Sequence, residues 1–369
     1  MKKTYFTLLA LCAGIVLISA TRSSLRSPYG MTKGTPDIRS ISALSFGNDG
    51  ILFIGDSKGA TVYAVETKDN RKKENASAIL VHNIDQRIAA ALGTAKENIT
   101  ITDMAVNPIS HKLYVAVQMS DGTPALLKVD NDRIEAVALK DVNFSSVALN
   151  DVYAEDAKDA RGRSLRVSTI SDIGFDNGKV LVSGLSNKEF SSSFRVIPFP
   201  FTGNQDRTSL EIYHTSHGRY ETAAPVRTFT TGWINGKEYL IASYTCTPLV
   251  LFPMDDLKPG TEVRGRTVAE MGSGNTPIDM TTIKKGDETF LVMANTARPM
   301  ARIGYKSISG YDGNLSEHVN GTAGASFNQL QTGAGVMQMD KLDNSQLVVI
   351  QKQANGDIDL LTINNDSLQ

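Results

Sequence analysis

Six blades of a β-propeller are what this sequence predicts, and three observations lead there. Short strands rich in β-branched residues alternate with turns built from Gly, Asn and Asp. One strand–turn–strand–loop–strand unit recurs six times along the chain. Only one stretch shows helical spacing. Evenly spaced short strands with no helical layer are the mark of radial repetition.

The units follow in order. "SISALSFGNDGILFIGDSKGATVYAVE" (Ser40–Glu66) is the clearest, and "TITDMAVNPISHKLYVAVQMSDGTPALLKVD" (Thr100–Asp130) repeats it. "TISDIGFDNGKVLVSGLSNKEFSSSFRVIPF" (Thr169–Phe199) and "VRTFTTGWINGKEYLIASYTCTPLVLFPM" (Val226–Met254) are the third and fourth. "PIDMTTIKKGDETFLVMANTARPMARIGY" (Pro277–Tyr305) and "GAGVMQMDKLDNSQLVVIQKQANGDIDLLTI" (Gly333–Ile363) complete the set. They begin roughly every 50 to 70 residues, close to the spacing of four-stranded blades. Six fill the chain, and a seventh fits less well. "RIEAVAL" (Arg133–Leu139) and "SLEIYH" (Ser209–His214) are candidates for outer fourth strands.

"NIDQRIAAALGT" (Asn83–Thr94) breaks the β pattern. Ile84, Ile88, Ala91 and Leu92 fall at helical spacing, with Asp85 as N-cap and Gly93 as stop. The expectation is a short helix between blades one and two. "AEDAKDARGRSLR" (Ala154–Arg166) is a polar excursion before blade three.

The N-terminus differs in kind. "MKKTYFTLLALCAGIVLISA" has two lysines, an apolar run, then Ser19 and Ala20, the order of a secretory signal peptide. The expectation is a signal over residues 1–20, a single propeller domain over 21–369, and a periplasmic or extracellular location. Leu11 before Cys12 is bulkier than lipidation sites usually tolerate, so lipidation is the minor reading. Without the signal, Cys246 is the one cysteine, and no intramolecular disulfide is possible. No CxxCH is present for covalent haem attachment.

The 369 residues carry a formal net charge of −1 and are 41% hydrophobic. That supplies a sizeable core and no general attraction to nucleic acid or an acidic membrane. No later segment is long and apolar enough for a membrane-spanning helix.

"ITDMAVNPISHKLYVAV" resembles the blades of secreted bacterial propellers of the NHL-like or YVTN-like kind. Its strand, Asn-Pro turn and Leu-Tyr-Val strand carry the likeness. "DARGRSLRVSTISDIGF", "GLSNKEFSSSFRVIPFPF", "YHTSHGRYET" and "YTCTPLVLFP" are similar to stretches of an exported bacterial propeller family without an established activity. The resemblance covers most of the chain after residue 20 and implies a fold, not a reaction.

Strand polarity places candidate groups. In a blade the start of the inner strand and the loop between the second and third strands share one face. Asp103, Asp172 and Asp279 stand near inner-strand starts, around the channel. They suit strand-start acceptors of backbone N–H bonds, or a cation such as Ca²⁺. His214 and His217 lie in the loop from blade three to blade four, and Cys246 in a blade-four loop on the same face. Two imidazoles and a thiolate suit zinc or copper. Histidines three apart diverge on a regular strand, so a loop is required. Further ligands come from elsewhere, with Glu221 or an Asp as guesses. The plainer reading makes His217 a loop cap and Cys246 a small apolar filler. Arg219 and Arg227, with Arg195 and Arg298, form a third group, for a carboxylate or phosphate or for ordinary ion pairs.

GxSxG, HExxH, Walker A and strand-borne GxGxxG motifs are absent. Trp233 is the single tryptophan, which argues against an aromatic sugar cage repeated on each blade. Three functions stay open. The first is a small-molecule or protein binding module on the strand-start face. The second is a metal-dependent, lactonase-like hydrolase using the channel carboxylates. The third is an accessory protein of a periplasmic metal or redox system.

Overall fold

The computed structural model describes residues 29–368. The expected signal segment and Cys12 lie outside the described residues. Strands form six separate sheets, one for each unit foreseen, and each sheet is a blade. Among the described residues, no helix is long and apolar enough to cross a membrane.

Local sequence dictates the hairpins. Asn177–Gly178 and Asn235–Gly236 link first to second strands in blades three and four, and all four residues have positive φ. That is the Asn-Gly turn whose twist matches paired strands. Second strands read as continuous apolar runs because a blade packs on both faces. Ile51–Asp56 is buried at every residue.

The inner strands run Ala43–Phe46, Ile99–Val106, Asp172–Asp176, Thr228–Ile234, Pro277–Lys285 and Val336–Lys341. Outer strands Arg133–Ala136 and Asp206–His214 lie where expected.

The order around the ring departs from the order along the chain. Blade one packs Leu52 and Ile54 against Tyr114 and Ala116 of blade two. On its other face Phe53 and Ala64 meet Ile173 and Val180 of blade three. Blade two in turn packs Val115 and Leu127 against Val348 and Ile350 of blade six. Blades three to six then follow in sequence. The ring therefore reads two, one, three, four, five, six.

Two long-range strand pairings produce this swap. After blade one the chain gives Leu80–Val81 to the edge of blade six, then builds blade two. It returns to give Val142–Ala148 to blade one as a fourth strand, and only then enters blade three. Thr32–Gly34 adds a fifth strand outside that one.

The helix Ile84–Ala91 exists, with two corrections. It lies between blades six and two in space, burying Ile84 and Ile88 there. Asn83, in left-handed backbone, is the N-cap, and Asp85 sits inside the first turn. Gly93 follows the helix with φ +69, as a C-terminal stop should.

Candidate functional site

The outer strand of blade three ends at His214. A tight turn follows, in which the His217 and Gly218 N–H groups donate to the His214 carbonyl at 3.0 and 2.8 Å. Gly218 takes φ +65, and His318 packs so close that a Cβ there would sit 3.2 Å from it. The chain then returns as Arg219–Glu221, pairing Arg219 with His214 and Glu221 with Ile212. The turn solves the geometric problem of two histidines three apart. Their ring centroids are 4.0 Å apart, tilted by 45°.

Glu221 controls both rings. Its Oε2 lies 2.6 Å from His214 Nδ1 and its Oε1 lies 2.8 Å from His217 Nδ1. Arg219 Nε donates to Oε1 at 3.1 Å. Burial alone would push this carboxyl up, but the hydrogen bonds from His214 and His217 outweigh it and pull it down to about 2. An ionised carboxylate can only accept, so both Nδ1 atoms carry protons. In the neutral imidazoles, both Nε2 atoms then present lone pairs.

A thiol stands beside these rings. Cys246 Sγ is 3.9 Å from His217 Nε2, and the ligand atoms of His214, His217 and Cys246 all lie within 4.8 Å of one another. His214 is 1% exposed, and its Nε2 is buried without a hydrogen-bond partner. Cys246 is held in unusual backbone. Cys246 and Thr247 have φ +68 and +55, two successive non-glycine residues in the left-handed region. Such residues cost about 1–3 kcal/mol each and persist only where their surroundings enforce them. Here the Cys246 N–H donates to Asn275 O at 2.7 Å and the Thr247 N–H to Tyr244 O at 2.9 Å. The aligned loop of blade five uses the same residue, Ala297 N–H donating to Asn275 Oδ1 at 3.0 Å. The two loops thus share Asn275 as an anchor, but the left-handed backbone at Cys246 and Thr247 is peculiar to blade four.

Below the histidines lies Glu270, fully buried. It accepts from the Thr215 hydroxyl and from the Gly272 N–H. Burial pushes its carboxyl up. Sequence reasoning missed it, because nothing at the end of an outer strand marks a glutamate as inward-facing.

The three channel aspartates meet at the waist of the ring, each lining both halves of the central channel. Asp103 accepts from the N–H groups of Met104 and Leu44, and Asp172 from those of Ile173 and Phe229. Asp279 accepts from Met339 N–H. A fourth member, Asp340, accepts from Lys341 and Val106 N–H. It was overlooked because it lies near the end of its strand, not the start. In every case one bond reaches the next blade, in the same direction around the ring. Four of the six inner-strand junctions are latched this way. Each is thus an acceptor of backbone N–H bonds across blades, though only Asp172 stands at the first residue of its strand.

Confinement sets the protonation of the waist. Crowding by protein pushes Asp172 up to about 7 and Asp340 up to about 6. Asp103 and Asp279 rise well above the carboxylate range, first through burial and then through their acidic neighbours. Each keeps some surface towards the channel, so the site is confined but not dry.

The arginines do not assemble. Arg219 clamps Glu221, as an ordinary ion pair. Arg195 is 1% exposed and donates to Asn150 O at 2.7 Å. Arg298 braces the carbonyls of Met271 and Ser273. Arg227 alone lines the channel.

No protein-family model matches this chain, and no curated protein does. Solved structures similar to it include a chain of the Mitotic Checkpoint Complex, at TM-score 0.38 and 10% identity over 99% of each chain. Chaetomium thermophilum Raptor is similar at TM-score 0.34 and 13% identity, over 90% of this chain and 25% of that one. A Thermus thermophilus protein described as a "putative oxidoreductase (glucose dehydrogenase)" is similar at TM-score 0.35 and 10% identity, over 90% and 99%. These scores carry no argument about activity, and no family match supports NHL-like or YVTN-like blades specifically. The fold rests on the chain's own strand pairing.

Proposed function

We propose that this chain is an exported propeller that binds a transition-metal ion, zinc or copper, through His214, His217 and Cys246. The observation that carries the reading is one carboxylate, Glu221, holding both imidazoles by Nδ1, with ligand atoms of His214, His217 and Cys246 all within 4.8 Å of one another. Metal-ligating histidines are commonly oriented in this way by a carboxylate on the other ring nitrogen. The buried, unpartnered Nε2 of His214 supports it, because an uncompensated acceptor is costly unless something meets it.

The dimensions suit the ion. Tetrahedral zinc with bonds of about 2.0–2.3 Å sets neighbouring ligand atoms roughly 3.5 Å apart. His217 Nε2 and Cys246 Sγ stand at 3.9 Å, so a small contraction suffices. Three protein ligands leave a fourth position, and His217 and Cys246 both reach the surface. That suits an exchangeable ion better than a sealed structural one. The N-terminal signal pattern supports a periplasmic or extracellular setting for it.

Untagged protein, stripped with chelator and titrated with Zn²⁺ or Cu⁺, tests this. One equivalent is expected to bind, with loss in Cys246→Ser and in His217→Ala. If neither metal binds, or both variants bind as the parent does, the reading fails.

A further inference from the structure

We propose that the half of the central channel opening on the strand-start face is a binding site for a small carboxylate, held by the guanidinium of Arg227. Arg227 enters at the start of blade four, its backbone N–H fixed to Ser243 O at 2.8 Å. It lines a cavity of about 190 Å³ with the polar side chains of Ser42, Thr102, Thr276 and Gln338, and Asp103, Asp172 and Asp279 line the same cavity. The residue is exposed to water in that cavity, yet crowding protein pushes its proton affinity down.

Among the described residues, no ion pair or side-chain hydrogen bond engages this guanidinium. The acid that acts on it is Asp172. Both oxygens of Asp172 are committed, to Phe229 N–H at 2.9 Å and Ile173 N–H at 2.7 Å. The planar fork of N–H donors on a residue lining the cavity is thus left for a ligand. A carboxylate meets that fork with two parallel bonds.

The rest of the cavity narrows the ligand class. A void of about 150 Å³ holds a benzene-sized molecule, so the occupant is small. The aspartates below, driven towards their protonated forms, leave room for a monoanion, whereas any that ionise repel a phosphate dianion about twice as strongly. The polar lining favours a carboxylate that also carries hydroxyl groups. This site is independent of the histidines and Cys246.

Calorimetric titration of metal-stripped protein with lactate and gluconate is the test, with lactamide and inorganic phosphate as controls. Saturable binding of at least one hydroxy acid is expected in the micromolar to millimolar range, with none for lactamide. Arg227→Ala is expected to weaken it at least about tenfold, and Arg227→Gln, which keeps bulk and polarity, should weaken it comparably. His217→Ala should bind as the parent does. The proposal is overturned if neither hydroxy acid binds, if both Arg227 variants bind normally, or if phosphate binds more tightly than both. A loss confined to His217→Ala would place the anion on the rim and equally overturn it. Failure of metal binding leaves this result unaffected.

Discussion

Glu221 and Asp172 are both carboxyl groups crowded by protein, and they are driven in opposite directions. Glu221 is met by two imidazoles and a guanidinium and sits near 2. Asp172 is met by backbone N–H groups, with Asp340 nearby, and sits near 7. The difference lies in what the donors carry. Short side-chain N–H donors, one of them a guanidinium, hold a carboxylate ionised, and the carboxylate in turn orients them. Backbone amides bring only dipoles, so crowding prevails and the group becomes a brace between blades. The rim is built to present lone pairs, and the waist is built to hold strands together.

Exchanging the two roles gives the largest expected effect. Glu221→Gln has one acceptor oxygen, and its amide N–H₂ opposes the second Nδ1–H. Metal affinity is expected to fall about 10- to 100-fold by competition titration, with little change in melting temperature. Asp172→Ala is the reciprocal test. It leaves the N–H groups of Phe229 and Ile173 without their acceptor, at a cost of about 2 kcal/mol in denaturant unfolding. Metal affinity should not move. If Asp172→Ala weakened metal binding as much as Glu221→Gln does, the separation of rim from waist would collapse.

The pH dependence divides along the same line. Asp172 and Asp340 lie above the ~3.9 of an unfolded aspartate, so the folded chain keeps protons that the unfolded chain releases. Their contribution is full below about pH 4 and is lost as pH rises through 6 to 7. Glu221 contributes above about pH 4.3 and loses its contribution as pH falls towards 2. Unfolding midpoints of stripped protein across pH 3–8 are expected to show both slopes. The Asp172→Asn, Asp340→Asn double variant should flatten the upper slope alone, and Glu221→Gln the lower. The smallest effect belongs to Arg219→Ala. This side chain is 71% exposed and supplies one of three donors to Glu221, so metal affinity should change less than about threefold.

Much of this was legible in the sequence, unevenly. Repeated strands and Asn-Gly turns announced the blades, because they act within a few residues. The histidine loop could be placed because an outer strand leads into the next inner one. Glu221, guessed as a further ligand, hydrogen-bonds both histidines at Nδ1, a position that depends on how the loop turns. Asp340 escaped because it stands near the end of its strand, not the start. The blade swap escaped because its pairings join segments remote in sequence. It hangs on Leu80–Val81, two residues without a pattern, and on Val142–Ala148, whose "VNFSSVA" alternates weakly. The grouped arginines shared a stretch of sequence but not a direction.

The double crossing has a consequence for how the chain comes together. Blade one waits for Val142–Ala148, which exists only after blade two has been synthesised. Blade six, the last made, finishes on Leu80–Val81 from near the beginning. Blades one and six take an edge strand from outside their own stretch, whereas blade two (99–136) and blades three to five (172–329) contain all of theirs. Such high contact order slows folding, because distant segments must meet before their pairing is rewarded. It also ties blades six and one to their neighbours: opening blade six frees the segment leading into blade two, and opening blade one frees the segment leading into blade three. The ring should therefore unfold as one cooperative unit, and a chain cut before Val336 should fail as a whole.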